Sequence, residues 1–164
     1  MKIILAPIDF SGVSEAVLRE TGRLARAMGA RVYLLSVVPP PTAIAEDRAM
    51  LADIAEMMIA SEKNAARKLA GAQDQLQAMG LTVDTVQLVG SPIEHILAEA
   101  DRTWADYIVM GSHGHTALYD LLVGSTTHGV VMRARCPVII VPVINRRKAR
   151  VSAVDRFAAV AHIG

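Results

Sequence analysis

The fold of this chain is decided by the stretch Tyr107-Ile108-Val109-Met110-Gly111-Ser112-His113-Gly114, which is followed, nine residues later, by Gly124-Ser125-Thr126. The apolar run predicts a buried strand that ends in a Gly-x-x-Gly turn. The segment after the third glycine has helical spacing and begins with hydroxyl side chains. Glycine lets a backbone approach a ligand closely and adopt positive φ, and the N–H groups and dipole of a helix N-terminus attract anions. The pattern therefore indicates a phosphate-holding site at a strand end of a parallel α/β sheet.

The glycine pattern has an alternative explanation, because two glycines at the end of a strand are also common in ordinary turns. A structural turn followed by a helix cap would account for them. Other nucleotide motifs are missing from the sequence: no Gly-Lys-Ser/Thr occurs, which excludes a P-loop. No G-x-G-x-x-G follows the first strand, and the apolar run 32–38 ends in prolines rather than in an acidic residue. A dinucleotide-binding Rossmann domain is therefore disfavoured.

Strand-like and helical patterns alternate along the chain. We predict strands at about 2–8, 31–38, 81–88, 106–110 and 137–142. We predict four helices. The first is capped by Ser11 and ends at Gly29, and the second is long, covering about 50–79 and ending at Gly80. The third runs from the capping box Ser91-Pro92-Ile93-Glu94 to about Trp104, and the fourth covers about 125–134. This alternation predicts an α/β fold with a parallel sheet, right-handed crossovers and helices on both faces.

The length and composition of the chain limit the classes of protein to which it can belong. A chain of 164 residues is long enough for one domain with a substantial core, and 52% of its residues are hydrophobic. Its single cysteine, Cys136, excludes an internal disulfide, and we expect a packed thiol in a reducing compartment. The apolar start at 3–8 is too short for a signal sequence, and no run approaches a membrane span. We therefore expect a cytoplasmic protein with no membrane partner.

The net charge of +1 is unevenly distributed. Residues 146–164 carry five basic side chains against one acidic side chain, a net of +4, which leaves −3 for the rest of the chain. A slightly acidic body argues against a nucleic-acid partner. We expect a domain over 1–144 and a basic tail over 145–164, in which the spacing of Val151, Val154 and Phe157 favours a short amphipathic helix.

At the glycine motif the chain resembles the ATP-binding branch of the universal stress protein family, whose nucleotide motif has this spacing. The resemblance covers residues 2 to about 143, including Pro7-Ile8-Asp9-Phe10-Ser11 after the first strand and Cys136-Pro137-Val138-Ile139-Ile140-Val141-Pro142 in the last. It implies a Rossmann-like three-layer sandwich with a five-stranded sheet in the order 3-2-1-4-5. It also implies a homodimer in which strand 5 pairs with its twin.

The same resemblance implies a site for ATP, or for AMP or ADP, where strands 1 and 4 end as neighbours. Adenine would lie between the ends of strands 1 and 2, while Gly111 and Gly114 would let the loop pass close to ribose and phosphates. Gly124, Ser125 and Thr126 would offer N–H groups and hydroxyls to the phosphates. The predicted binding residues are Pro7, Ile8, Asp9, Val38, Met110, Gly111, His113, Gly114, Gly124, Ser125 and Thr126. Asp9 would hold Mg²⁺ through water, and its alternative role is to cap the first helix.

Histidines crowd the motif, at positions 113, 115 and 128. Their spacing matches no standard metal-ligand set, so we expect His113 to contact phosphate or ribose, at a loop where the family often has arginine. No lysine or arginine lies between Arg102 and Arg133. Because phosphoryl transfer depends on cations that clamp the developing charge, the sequence favours a site that holds ATP over one that turns it over quickly.

Three functional interpretations follow from these patterns. The first is an ATP-binding regulatory dimer in the stress response, with slow or absent hydrolysis and an unknown protein partner. The second is an enzyme, either a slow ATPase or a phosphoryl or adenylyl transferase, in which Asp9 organises Mg²⁺. The third is an interaction module without a nucleotide, in which the glycine loop is only architectural.

Overall fold

The computed structural model describes residues 1–40, 48–112 and 124–142, and the predicted alternation of strands and helices is confirmed there. Within these ranges the elements are β1 (Ile3–Pro7), α1 (Ser14–Met28), β2 (Arg31–Val38), α2 (Arg48–Gln77), β3 (Val83–Val89), α3 (Pro92–Thr103), β4 (Tyr107–Gly111), α4 (Ser125–Val131) and β5 (Val138–Val141). The predicted tail over 145–164 lies outside the described residues, as do His113 and Gly114. None of the described helices is long and apolar enough to cross a membrane.

The strands form one parallel sheet in the order β3-β2-β1-β4-β5, as expected. β1 lies at the centre, where Ile4 stands opposite Val32 of β2 and Tyr107 of β4. Helices α1 and α2 cover one face of the sheet, and α3 and α4 cover the other. The predicted Rossmann-like α/β class is therefore confirmed.

Alternate side chains of β1 supply the two halves of the core. Ile4 and Ala6 are buried with Val17 on the face covered by α1 and α2, whereas Leu5 is buried with Ile108 on the face covered by α3 and α4. Burying one such large aliphatic side chain contributes roughly 1.5–3 kcal/mol. Because both faces are covered, the strand sequences are continuously apolar rather than alternating.

The predicted ends of the helices are confirmed where glycine or proline marks them. Gly29 follows α1 at φ 59° and Gly80 follows α2 at φ 80°, both in the left-handed region that glycine adopts without steric cost. Ser91 occupies the N-cap position of α3 with Pro92 in its first turn. The predicted capping box is wrong, because no side-chain cap hydrogen bond forms at this helix start.

The predicted N-cap of α1 is also wrong. The helix begins at Ser14 instead of directly after Ser11. Before the helix, the Asp9 Oδ1 accepts hydrogen bonds from the Ser11 N–H at 3.0 Å and from the Ser14 hydroxyl at 3.2 Å. Neither donor is a backbone N–H of α1, so these two bonds hold the turn that precedes the helix and do not cap it.

Asp106 joins the starts of β1 and β4. Its N–H donates to the Ile3 carbonyl at 2.9 Å, and its Oδ2 accepts the Ile3 N–H at 2.8 Å. Its Oδ1 pairs with the Lys2 ammonium at 2.5 Å. The bond from Lys2, with the Ile3 N–H second, lowers the pKa of the Asp106 carboxyl. These contacts help to set which residues of β1 and β4 stand opposite each other.

We predict that Asp106→Asn lowers the melting temperature at pH 7, because the amide accepts these bonds less well. The folded-state pKa of Asp106 lies below its ordinary value of 3.8, so the carboxylate stabilises the fold above that pH. This stabilisation is lost as the pH falls through the lowered pKa. Calorimetry between pH 7 and pH 2.5 should therefore show the wild-type advantage shrinking below about pH 4. An advantage that stays constant across this range would contradict the assignment.

The outer edge of β5 is oriented by its pairing with β4. The Ile108 N–H donates to the Pro137 carbonyl at 3.0 Å, and the Ser112 N–H donates to the Val141 carbonyl at 2.9 Å. Parallel ladders use alternate residues, so the backbone N–H and carbonyl of Ile140 point away from β4. The Ile140 side chain is 38% exposed. An apolar edge of this kind favours pairing with another strand.

We predict a homodimer through β5, which light scattering at micromolar concentration will detect. Ile140→Pro removes an outward N–H and should shift the protein to monomer with its circular dichroism unchanged. Ile139→Pro is the matched control, because that N–H faces β4 and its loss should destabilise the monomer itself. A monomeric wild-type protein, or an Ile140→Pro variant that dimerises normally, would show that β5 is not the interface.

Candidate functional site

A cavity of about 580 Å³ opens at the C-terminal ends of β1, β2 and β4. This is where the sheet order reverses direction, and such crevices are the usual ligand sites of open α/β sheets. Its volume is suited to a small molecule such as a nucleotide. The cavity lining includes every predicted binding residue that the structure describes: Pro7, Ile8, Asp9, Val38, Met110, Gly111, Gly124, Ser125 and Thr126.

Asp9 lies at the mouth of the cavity in a local turn. The bond from the Ser11 N–H to its side chain spans two residues, which defines an Asx turn. Phe10, between them, is held at φ 58°, a left-handed conformation that is uncommon for a residue other than glycine. The Ser14 hydroxyl bonds the same carboxylate oxygen, so the orientation of the Asp9 carboxylate is set from two directions.

Hydrogen bonds join the described residues that precede and follow segment 113–123. The Gly124 N–H donates to the Ser112 carbonyl at 2.7 Å. The Thr127 hydroxyl donates to the Gly111 carbonyl at 2.7 Å, and Thr127 is only 3% exposed. These two bonds connect the end of β4 directly to the start of α4. They bring the first and third glycines of the motif together.

This geometry corrects one expected role of Gly124. Its N–H is engaged by Ser112 and is not offered to a phosphate. Its φ of −67° and ψ of 157° are accessible to any residue, so positive φ does not explain a glycine here. The next two residues, Ser125 and Thr126, occupy the first turn of α4, where backbone N–H groups have no partner within the helix. Their N–H groups and hydroxyls remain the donors available for an anion.

The structure adds residues that the sequence interpretation missed. Ser61, Asn64 and Lys68 of α2 line the cavity together with Phe10 and Pro39. The three α2 residues recur at i, i+3 and i+7 and so share one helix face. Lys68 adds a cation to the site that the sequence prediction, which considered the segment between Arg102 and Arg133, did not include. No local signal in the sequence marks these residues of α2 as part of the site.

Of the histidines at positions 113, 115 and 128, the structure describes His128 alone. His128 lies exposed on α4, and it is not among the residues that line the cavity. Across the described ranges no group of three or more His, Cys, Asp or Glu side chains is placed to hold a metal ion. Asp9 is the one carboxylate among the described lining residues, so a divalent cation would need further ligands from a bound phosphate.

Cys136 lies away from this cavity, beside a smaller space of about 390 Å³ lined also by Leu97 and Trp104. Burial raises the pKa of the Cys136 thiol, with Asp101 contributing in the same direction. The thiol is therefore protonated at neutral pH, and a protonated thiol is a poor nucleophile and metal ligand. This agrees with the expected packed cysteine.

Comparison with known proteins is consistent with this architecture. Residues 1–142 match the universal stress protein family. This chain belongs to that family. It is 30% identical over 152 residues to the universal stress protein MJ0577 of Methanocaldococcus jannaschii, covering 85% of this chain and 94% of that protein. The solved structure of MJ0577 superposes with a TM-score of 0.76 and covers 88% of this chain and 97% of the other.

Two further solved family members are similar in fold. Universal stress protein UspA from Lactobacillus plantarum is 27% identical with a TM-score of 0.77, covering 85% of this chain and 97% of its own. The universal stress protein of Archaeoglobus fulgidus, solved in complex with dAMP, is 27% identical with a TM-score of 0.59, covering 85% and 96%.

We predict that Thr127→Val lowers the free energy of unfolding by about 1–3 kcal/mol, because the Gly111 carbonyl loses a buried hydrogen-bond partner while side-chain volume is kept. Urea unfolding followed by circular dichroism measures this. Thr127→Ser is the control, since it keeps the hydroxyl and should retain more of the stability. Equal stability of Thr127→Val and wild type would mean that the bond to Gly111 contributes nothing.

Proposed function

We propose that this universal stress protein binds an adenine nucleotide, with ATP as the principal ligand, and acts as a cytoplasmic homodimeric regulator whose nucleotide state changes which protein it contacts. The observation that carries the proposal is the convergence of the described motif residues, Gly111, Gly124, Ser125 and Thr126, with the ends of β1 and β2 on one cavity. The dAMP complex of the Archaeoglobus fulgidus family member supports the choice of an adenine nucleotide.

The cavity lining offers chemistry for each part of the ligand. Ile8, Val38 and Pro39 give an apolar wall at the ends of β1 and β2, which suits a purine base. Gly111, with no side chain, lets ribose approach the end of β4. Ser125 and Thr126 present hydroxyls and N–H groups for phosphate oxygens.

Asp9 fits the role of a magnesium-binding residue in this proposal. Mg²⁺ in nucleotide sites is usually held by one or two carboxylates, waters and the phosphates themselves. The Ser11 N–H and the Ser14 hydroxyl already orient the Asp9 carboxylate at the cavity mouth. When bound, the ion would neutralise part of the phosphate charge. Asp9 would contribute one fixed negative group toward it.

The lining favours retention of ATP over rapid hydrolysis. Among the described lining residues Lys68 is the one lysine or arginine, whereas efficient phosphoryl transfer uses several cations around the transferred group. The enzyme alternative remains testable by single-turnover hydrolysis with stoichiometric ATP and Mg²⁺. A chemical step near ordinary enzyme turnover, roughly 1–10³ s⁻¹, would favour a catalytic function instead.

We predict that native mass spectrometry of the purified protein, never exposed to added nucleotide, detects a retained adenylate. A protein that carries none and binds no added ATP would be an interaction module, in which the cavity has another use. The measured mass of the ligand separates AMP, ADP and ATP.

We also predict that Gly114→Val and Gly124→Val each abolish adenylate binding in titration calorimetry while unfolding stays cooperative. A side chain at either position would occupy space assigned to ribose and phosphates. Gly71→Val is the matched control, because Gly71 lies on α2 with nothing within 4 Å of an added Cβ. ATP affinity unchanged in both motif variants would place the nucleotide elsewhere.

A further inference from the structure

Helix α2 contributes a wall of the cavity that lies outside the glycine motif. Its lining residues Ser61, Asn64 and Lys68 lie on one face, and the apolar Ala65 and Leu69 beside them are buried. The helix is anchored at this level, because the Gln87 side chain of β3 donates to the Glu62 carbonyl at 3.1 Å. The polar face of α2 therefore has a fixed position beside the sheet, and it faces the cavity.

Lys68 lies against the turn that follows β1. Its Nζ is 5.5 Å from the centroid of the Phe10 ring, within the range of a cation–π contact. The Phe10 backbone is itself held by the Asx turn at Asp9. The lysine is exposed, and its four-carbon stem gives the ammonium group several ångströms of reach. An ammonium group on a flexible stem thus lies at the same turn as the Asp9 carboxylate.

Lys68 matters for ligand binding because few of the cavity-lining residues that the structure describes are charged. Among the described lining residues the ionised groups are Asp9 and Lys68, of opposite sign. A nucleotide brings several negative charges, and hydroxyls and amides stabilise them less strongly than a cation does. An exposed cation–π contact is in turn weaker than a charge-assisted hydrogen bond to phosphate. A bound phosphate can therefore draw the Lys68 ammonium away from the Phe10 ring.

We propose that Lys68 is a phosphate-recognising residue, which exchanges its contact with Phe10 for a phosphate oxygen of the bound nucleotide. This inference rests on the proposed function, and it assigns α2 a part in selecting nucleotides over nucleosides. Asn64 and Ser61, one and two turns away on the same face, line the adjoining part of the wall as neutral hydrogen-bonding groups. The positive charge that selects for phosphate then comes from α2 and not from the glycine loop.

The test is calorimetric titration of the full chain with adenosine, AMP and ATP. Lys68→Met keeps the length of the side chain and removes its charge, so ATP affinity should fall about 10- to 100-fold, the range of a lost charge-assisted hydrogen bond. Adenosine affinity should change less than about twofold, within the error of comparing single variants. Lys68→Arg keeps a cation and should retain most of the ATP affinity. Lys63→Met, on the same helix but not among the lining residues, is the matched control and should bind ATP as wild type does.

The possible outcomes separate this inference from the proposed function. A wild-type protein that binds neither adenosine nor ATP overturns both. Normal wild-type binding together with unchanged ATP affinity in Lys68→Met overturns the role of Lys68 alone. An equal loss for adenosine and ATP also overturns it, because the lysine would then contact the base or ribose. Selective loss of ATP affinity, with a weaker dependence on salt than in wild type, supports it.

Discussion

Strands β1 and β4 are separated by a hundred residues of sequence, yet they are parallel neighbours in the sheet, with Ile4 opposite Tyr107 and Leu5 opposite Ile108. The chain leaves β1 toward β2 and leaves β4 toward β5, so the two connections diverge and open a crevice between them. A slip of one residue in either strand would turn Leu5 or Ile108 toward the wrong core. The contacts of Asp106 with Ile3 and Lys2 help to set this register, which brings Asp9 and Gly111 to the same cavity.

Local hydrogen bonds fix the backbone on the two sides of this crevice. On the β1 side, the Asp9 carboxylate holds the turn through Ser11 and Ser14, at the cost of a left-handed Phe10. Strain of this kind persists where neighbouring contacts over-determine the backbone. On the β4 side, the Thr127 hydroxyl bonds the end of the strand. The β1 side of the cavity is thus fixed by groups close in sequence to the strand end, whereas the β4 side is fixed by a hydroxyl of α4.

The sequence predicted features that depend on local interactions better than features that depend on contacts between distant residues. Gly29, Gly80 and Pro92 act on their own backbone, so they marked helix ends correctly. The strand order came from family resemblance, because periodicity alone does not specify which strands are neighbours. The predicted cap at Ser11 is wrong because the chain first makes the turn held by Asp9, and α1 begins three residues later, at Ser14.

Lys68 shows the limit of motif-based prediction more clearly. It lies more than forty residues from the glycine motif, and it lines the cavity only because α2 packs beside β2 and β3. Nothing in the local sequence distinguishes it from Lys63, which does not line the cavity. The residues of a motif lie close together because they are close in sequence. The cavity-lining residues of α2 lie near the motif only because the helix packs there, so only the tertiary structure identifies them.

The position of a single flexible lysine also bears on why such a site would hold ATP without consuming it. A cation accelerates phosphoryl transfer only if it binds the transition state more tightly than the ground state. Lys68 is exposed, free to follow a phosphate oxygen, and not clamped by a second cation among the described lining residues. Under the proposed function it would stabilise the bound nucleotide and the transition state to a similar extent, which would strengthen binding and leave the barrier nearly unchanged. A cavity built in this way can report whether a nucleotide is present, which is what a regulator requires.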